Sequence, residues 1–347
     1  MRFDIKIPDT AISPLITDKI DNLNKPKGSL GLVEKIAHRI CMAQQTLTPS
    51  LKNPCHILFG GDHGIEREGV SVSPRDVTWQ QMINFTKGGG GVNMFCRQHG
   101  FRLFIVDVGV DYDLTQYSDI INRKIARGTD NFLYHSAMSL DQLNKSFSIG
   151  AEMVDRCVEY GSNIICLGEM GIANTSASSM LMHVFGDIPL EECVGIGSGV
   201  NSEGLLHKLK ILKQSAVNFG KNTTQPSAEE VVAYFSGFEM AAATGAMLRA
   251  AEKGVLILVD GFIMTACMLS AARICPEVLH YAIFGHCGDE SGHKKMLSLL
   301  NAEPILSLGL RLGEGTGALC AYPIVESAVK MVNEMNNFRD ANITKYF

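Results

Sequence analysis

Six short apolar runs, each ending in glycine or a small polar cluster, constrain the fold of this 347-residue chain more than any other feature. They cover residues 56–61, 103–109, 163–168, 254–261, 279–285 and 304–309. The runs are almost continuously apolar and hardly alternate, which is typical of strands buried on both faces. A parallel sheet covered by helices buries its strands in this way. The runs therefore predict an α/β fold.

Segments with helical spacing separate most of these runs. Apolar residues recur at three- and four-residue intervals in residues 77–85, 140–160, 205–219, 228–253 and 317–335. Ser227 and Glu230 have the spacing of a capping box at the start of the fourth segment, and Lys253-Gly254 predicts its end. The order of strand, helix, strand favours a Rossmann-like parallel sheet flanked by helices.

The two ends of the chain carry helical patterns without the apolar runs of the middle. We expect residues 1–50 and 315–347 to form a smaller helical lobe beside a large α/β catalytic domain of residues 51–314. The sequence contains no internal repeat, low-complexity segment or long linker that would divide it further.

Composition narrows the class of protein. Hydrophobic residues make up 46% and charged residues 19%, as in a compact globular chain. A net charge of −5 provides no general field for a polyanion, so we expect no nucleic-acid partner. The N-terminus lacks the pattern of a signal peptide, and Asp260 interrupts the most apolar stretch, so we expect neither export nor a membrane span. Ten cysteines without a C-x-x-C pair indicate reduced thiols and a cytosolic protein.

Polar side chains stand next to glycine at six points, most of them where a predicted strand ends. These clusters lie at residues 60–64, 168–176, 195–199, 260–261, 285–293 and 313–317. In an open parallel sheet, ligands bind beyond the carboxyl ends of the strands, so a site is expected there. The alternating glycines at 195–199 and 313–317 do not fit the dinucleotide fingerprint G-x-G-x-x-G. A helix beginning after Gly171 would instead offer free amides to a nucleotide phosphate.

Two acidic residues in these clusters are candidates for acid–base chemistry. Glu314 is flanked by Gly313 and Gly315, and Glu169 follows Leu167-Gly168. A carboxyl group can transfer protons near neutral pH if burial or a neighbouring charge tunes its pKa. Each could equally cap the N-terminus of a helix, and the residues alone do not decide between the two roles.

A metal site is a further alternative, because four residues of these clusters are of ligand type. They are Asp62, His63, His286 and His293. Their spacing matches no standard zinc pattern, so structural hydrogen bonding is the favoured role.

Seven motifs in order carry a family resemblance. They lie at residues 25–31 with Glu34, 62–64 with 68–71, 87–89, 126–129, 168–172, 237–239 and 312–317. As a set, spanning about residues 20 to 335, they resemble the nicotinate-nucleotide:dimethylbenzimidazole phosphoribosyltransferases of cobalamin lower-ligand assembly.

This resemblance implies transfer of 5-phosphoribosyl from nicotinate mononucleotide to a benzimidazole nitrogen. The products are α-ribazole 5′-phosphate and nicotinate, with inversion at C1′. It further implies a homodimer with active sites near the subunit interface, and a reaction that needs neither a metal nor another cofactor.

The resemblance also implies roles for individual residues. Glu314 matches the family's general base, and Glu169 is the candidate that stabilises positive charge on the ribosyl ring. The predicted nucleotide- and phosphate-binding residues are Gly171, Asn174, Thr175, Ser176, Lys208 and Asp260, of which Asp260 would take a ribose hydroxyl. The predicted base pocket consists of Ser73, Gln81, Met82 and Leu312. For Lys208, an exposed helix face shared with Lys210 and Lys213 is an equal alternative.

Two segments depart from the family pattern. Residues 71–74 lack the family's aromatic residue, which leaves the accepted base open among dimethylbenzimidazole, other benzimidazoles, adenine and a phenol. Residues 285–290 replace a His-x-Ser-Ala-Glu run. The functions that remain as alternatives are a metal-dependent hydrolase built on the four ligand-type residues and a nucleotide sensor without chemistry.

Overall fold

A computed structural model describes residues 1–195, 202–222 and 225–345 of the chain. Within these ranges the strands are β1 (Cys55–Gly61), β2 (Arg102–Gly109), β3 (Ile120–Asn122), β4 (Ile164–Met170), β5 (Leu256–Val259) and β6 (Ala282–Phe284). They form one sheet in the order β3-β2-β1-β4-β5-β6, and every neighbouring pair is parallel. The predicted Rossmann-like sheet is confirmed.

The helices of the described ranges lie between and around these strands. In chain order they are α1 (Ser13–Asn22), α2 (Leu32–Gln44), α3 (Asp76–Thr86), α4 (Gly91–His99), α5 (Leu140–Glu159), α6 (Asn174–Gly186), α7 (Leu190–Cys193), α8 (Ser202–Asn222), α9 (Ala228–Phe235), α10 (Phe238–Glu252), α11 (Phe262–Ile274), α12 (His293–Leu299) and α13 (Thr316–Glu334). Helices pack on both faces of the sheet, as the continuously apolar strands require.

Four of the six predicted strands are confirmed, and two predictions are corrected. The run at 279–285 forms a strand only over Ala282–Phe284, because a 3-10 turn that starts at Pro276 occupies the residues before it. The run at 304–309 is not a strand, since only Leu306 bridges His286 before the chain turns away toward the cleft. The short strand β3 was not predicted, because three residues are too few to show a pattern.

One predicted helix is in fact two. Residues 228–253 contain α9 and α10, separated by extended backbone at Ser236 and Gly237. The predicted capping box is present, with Ser227 and Glu230 bonding to each other's backbone amides. The break has a consequence for the site, because it places Glu239 in the first turn of α10.

Helix α10 is buried on nearly all sides between the sheet and α5. Its alanines and Gly245 let the two helices approach closely, and Gly150 of α5 fits against the α10 backbone. A Cβ atom at Gly150 would lie 1.9 Å from the carbonyl oxygen of Ala242. This contact fixes α10 against the sheet and so sets the position of Glu239.

The two ends of the chain meet beside the sheet. Leu23 forms an antiparallel bridge with Asn337, and α13 packs against both α2 and α4. Helix α13 begins at the sheet edge and runs outward to the terminal segments. The division into a lobe of residues 1–50 and 315–347 and a domain of residues 51–314 stays a prediction.

The described residues also allow the expectations about membrane spans and cysteines to be compared with the structure. No helix in them is both long and apolar enough to cross a bilayer. All ten cysteines are free, and seven of them are buried as small residues of the core. The glycines at 197 and 199, part of the run weighed as a dinucleotide fingerprint, lie outside the described residues.

We expect Gly150→Ala to destabilise the protein by about 1–3 kcal/mol, because the added methyl overpacks the contact between α5 and α10. The matched control is Gly220→Ala in α8, where no atom lies within 4 Å of the added methyl. The control should be neutral or stabilising by up to about 1 kcal/mol. Urea unfolding of both variants tests this, and equal midpoints would contradict the role of Gly150.

Candidate active site

A cleft lies where the strand order reverses between β1 and β4, beyond the carboxyl ends of the strands. This is the usual ligand site of such sheets, because the connections on either side leave in opposite directions. Predicted site residues that line it are Gln81, Glu169, Gly171, Asn174, Thr175, Asp260, Leu312 and Glu314. The fold therefore brings together predicted residues from four separate segments of the chain.

Glu314 lies in an unusual turn just before α13. Gly313, Glu314 and Gly315 have φ values of 83°, 62° and 81°, so three consecutive residues are left-handed. The left-handed region is unfavourable for a residue with a side chain, and Glu314 remains there only because its surroundings hold it. Burial leaves this side chain 7% exposed at the cleft wall.

The Glu314 carboxylate is tied to the start of α4. Its Oε2 atom accepts a hydrogen bond of 3.0 Å from the amide of Val92. Burial raises the pKa of Glu314, while the amides of Val92 and Gly91 oppose the rise by stabilising the charged form. The two sequence-based roles for Glu314 thus coincide, because the candidate base also caps a helix.

Glu169 lies beside the same turn. The Asn174 side-chain amide donates to Glu169 Oε2, and the Glu314 backbone also bonds to this carboxyl group. Burial, followed by the charges of Glu239 and Asp260, raises the pKa of Glu169 to about 8. Glu169 is therefore mostly protonated at neutral pH. The structure brings the two candidate carboxyl groups together, as the sequence predicted.

The start of α6 has the features of an anion site. Its N-cap residue, Ala173, has no side chain that could cap the helix. Lys208 of α8 is 1% exposed and donates a 2.9 Å hydrogen bond to Thr175 Oγ1. No described carboxylate forms an ion pair with Lys208, and burial lowers its pKa to about 8. The alternative of an exposed helix face for Lys208 is wrong.

Ser176 also lies in this first turn but is fully buried and does not line the cleft. Its hydroxyl has no partner among the described residues.

Asp260 directly follows β5, and its carboxylate has polar partners in α13 and beside β6. Its Oδ1 atom accepts a 2.8 Å hydrogen bond from the amide of Ala318, and His286 Nε2 lies 3.4 Å away. Although burial raises the pKa of Asp260, the hydrogen bond and charge of His286 outweigh it and hold the pKa below the usual value. Asp260 thus joins β5 to the first turn of α13, close to Glu314.

The four ligand-type residues do not form a metal centre. Asp62 accepts a 2.8 Å hydrogen bond from the amide of Asp111, and His63 pairs with Glu239 at 2.5 Å. His293 bonds to Thr265 and Gly288, while His286 faces Asp260. In the described part of the chain no three side chains of ligand type are grouped around one point. Each of the four has at least one polar contact of the structural kind, which is the favoured role.

Two of the four residues predicted to form a base pocket line the cleft. Gln81 and the 62%-exposed Leu312 line the cleft beside the Glu314 turn. Ser73 lies outside the cleft lining, and Met82 is fully buried against Gly60 of β1. The roles of Ser73 and Met82 as base contacts stay predictions, without support from their positions.

Three residues near the cleft were not among the predicted site residues. Glu239 bonds to His63 beneath Gly171, and its charge acts on Glu169. The motif at 237–239 marked Glu239 only through the resemblance. Val92 contributes a backbone amide, which no side-chain pattern reveals. His56 lies under the Glu314 turn but reads in the sequence as one residue of an apolar strand.

A larger cavity of about 730 Å³ lies away from this chemistry. It is bounded by α1, α2 and the segment around β6, and none of the predicted site residues lines it. Size alone therefore does not identify the site.

Comparison with known proteins agrees with the cleft. The phosphoribosyltransferase family model matches residues 5–343. Two curated relatives are named nicotinate-nucleotide–dimethylbenzimidazole phosphoribosyltransferase. That of Bacteroides fragilis is 56% identical and that of Phocaeicola vulgatus 54%, each over 99% of both chains. The crystal structure of CobT from Thermus thermophilus matches with a TM-score of 0.93 at 32% identity, over 97% of this chain and all of that one. The chain therefore belongs to the nicotinate-nucleotide–dimethylbenzimidazole phosphoribosyltransferase family.

Proposed function

We infer that the chain is an enzyme that transfers 5-phosphoribosyl from nicotinate mononucleotide to 5,6-dimethylbenzimidazole or a related base. The observation that carries this function is the convergence, in one cleft, of two buried carboxyl groups and an anion site. Family membership over the whole chain supports it, as do the names of the relatives.

The phosphate of the donor binds at the start of α6. The positive end of the α6 dipole, which no side chain caps, attracts an anion, and the buried ammonium of Lys208 has no carboxylate counter-charge among the described residues. A phosphate that contacts Gly171, Asn174 and Thr175 supplies that charge. Its binding energy then positions the ribose C1′ against the acceptor base.

Glu314 acts as the general base. The acceptor nitrogen attacks C1′ as the bond from C1′ to the nicotinate nitrogen breaks, and that bonding pair returns to the pyridine ring. The proton of the acceptor N–H passes to Glu314, whose pKa burial has raised. Leu312 and Gln81 flank the acceptor, and Asp260 lies near the ribose side of the cleft.

Glu169 stabilises the positive charge on the sugar as nicotinate departs. Burial raises the pKa of Glu169 to about 8, so the group is protonated at neutral pH until the donor binds. The pyridinium cation of the donor then lowers this pKa, and Glu169 loses its proton. Donor binding is therefore coupled to ionisation of this group. Ser176 is fully buried in the first turn of α6, so its side chain does not face the ligand.

The homodimer, the cytosolic location and the absence of a nucleic-acid partner stay predictions. The metal-dependent hydrolase has no support from the positions of its four residues, and the relatives' names favour the transferase over it and over a sensor.

The first test is a panel of bases incubated with nicotinate mononucleotide. We expect free nicotinate and a riboside phosphate in equal amounts with a benzimidazole, unchanged by chelator. Adenine and a phenol in the panel define the acceptor range. Nicotinate release without any base, abolished by chelator, would indicate the hydrolase. No nicotinate with any base would indicate the sensor.

Glu314→Gln should lower kcat about 10²- to 10⁴-fold, because the amide cannot accept the acceptor's proton. The dissociation constant of nicotinate mononucleotide should change less than about threefold, since the phosphate anchor is intact. Glu334→Gln, at the exposed far end of the helix that follows Glu314, is the control and should retain full activity. Near-normal turnover of Glu314→Gln would remove Glu314 from the role of base.

Donor affinity should depend on pH through two opposing titrations. Glu169 becomes charged as pH rises through about 8 and then attracts the pyridinium, whereas Lys208 loses its charge in the same range and releases the phosphate. In Glu169→Gln, donor affinity should only fall between pH 7 and 9, because only Lys208 still titrates. In Lys208→Met, donor affinity should only rise over the same range. Each change should be at most about tenfold per pH unit. Calorimetric titrations at several pH values measure both. Parallel profiles in the wild type and both variants would contradict this assignment.

A further inference from the structure

His56 is a buried imidazole that the mechanism above does not use. It lies on β1 between Cys55 and Ile57, pairs with Leu103 of β2 and Cys166 of β4, and is 0% exposed. Burial lowers its pKa to about 4, so the ring is neutral at physiological pH. An apolar side chain would fill this place in the sheet without the cost of burying two ring nitrogens.

The ring lies directly beneath the turn that carries Glu314. A Cβ atom at Gly315 would lie 2.2 Å from His56 Cε1, and one at Gly168 would lie 2.7 Å from Nε2 and 2.3 Å from the Glu314 carbonyl oxygen. The imidazole, the carbonyl of Glu314 and the glycine backbones of β4 and the turn therefore converge on one point. Neither glycine can carry a side chain without displacing His56.

The Glu314 carbonyl oxygen shares this enclosure with the His56 ring. Neither ring nitrogen has a hydrogen-bond partner among the described residues, so a donor remains for that oxygen. The charge of Asp260, followed by the Glu314 backbone, opposes the lowering of the His56 pKa by burial. Hydrogen bonds at catalytic sites often tighten only in the complex with substrate.

Glu314 is otherwise held on two sides. Its side chain bonds to the amide of Val92, and its backbone bonds to the carboxyl group of Glu169. When the carboxyl group takes the acceptor's proton, it loses its charge and the bond from the Val92 amide weakens. The left-handed backbone then needs a contact that does not involve the reacting oxygens.

We propose that His56 is a positioning residue of the base, with its Nε2–H donating to the carbonyl oxygen of Glu314 and fixing the left-handed turn during proton transfer. The imidazole does not touch the substrate and carries no charge. It acts by keeping the carboxylate of Glu314 aimed at the acceptor, where small misplacements are costly.

The inference rests on the proposed function, because it requires Glu314 to be the base. Different results would contradict the role of Glu314 and the role of His56. If Glu314→Gln turns over normally, the base is elsewhere. If Glu314→Gln is inactive while the His56 variants below keep a normal kcat, only the role of His56 is wrong.

Three substitutions separate a donor at Nε2 from simple packing. The amide nitrogen of Gln stands close to the position of Nε2, that of Asn close to Nδ1, and Met provides volume without a donor. We expect His56→Met and His56→Asn to lower kcat about 10- to 100-fold with the KM for nicotinate mononucleotide within about twofold. His56→Gln should restore kcat to within about fivefold of the wild type.

The matched control is Ile57→Val, the next residue of β1, which is equally buried but faces the other side of the sheet. It should lower the melting temperature and leave kcat unchanged. Equal kcat values for the Gln, Asn and Met variants would overturn the proposal, as would losses of kcat that only follow melting temperature.

A structure of the wild-type protein with nicotinate and a benzimidazole decides the case even if the variants do not fold. A distance below 3.5 Å between His56 Nε2 and the Glu314 carbonyl oxygen supports the proposal. A longer distance, or a ring rotated so that Nε2 faces another acceptor, overturns it.

Discussion

Parallel pairing at the centre of the sheet determines where this chain can bind a ligand. Strand β1 pairs with β2 on one side and β4 on the other, and the chain connections leave in opposite directions at that point. The loops after β1, β4, β5 and β6 therefore open onto one edge, with no crossover helix closing the gap between β1 and β4. The start of α6 and the buried carboxyl groups line the cleft because they stand in the loops at this open edge.

Within the cleft, burial has opposite consequences for the acids and the cation. It favours the neutral form of Glu169 and Glu314 and also the neutral form of Lys208. Burial therefore opposes charge on both sides of the cleft. Under the proposed function, the cationic ring and the anionic phosphate of the donor favour the ionised forms of these groups, so that the substrate completes the electrostatics of the site.

The sequence predicted the parallel sheet well, because strands buried on both faces are continuously apolar whatever their neighbours. The sequence-based prediction failed where tertiary contacts determine whether a segment is a strand, a helix or a loop. The pattern at 304–309 is that of a strand, yet the chain there leaves the sheet to reach the cleft. Helical spacing continues across Ser236 and Gly237, although His63 and Glu239 leave no room for a side chain at Gly237. Likewise, only the fold shows that Lys208 points inward while Lys210 and Lys213 do not.

The bond between Glu314 and Val92 joins stability to chemistry. One carboxylate oxygen of Glu314 completes the start of α4, and under the proposed function the same carboxyl group takes the acceptor's proton. Protonation removes the negative charge from the helix start, so under that function each catalytic cycle weakens this cap and restores it. A tighter cap would make a sturdier protein and a slower catalyst, so the strength of this one bond is limited from both directions.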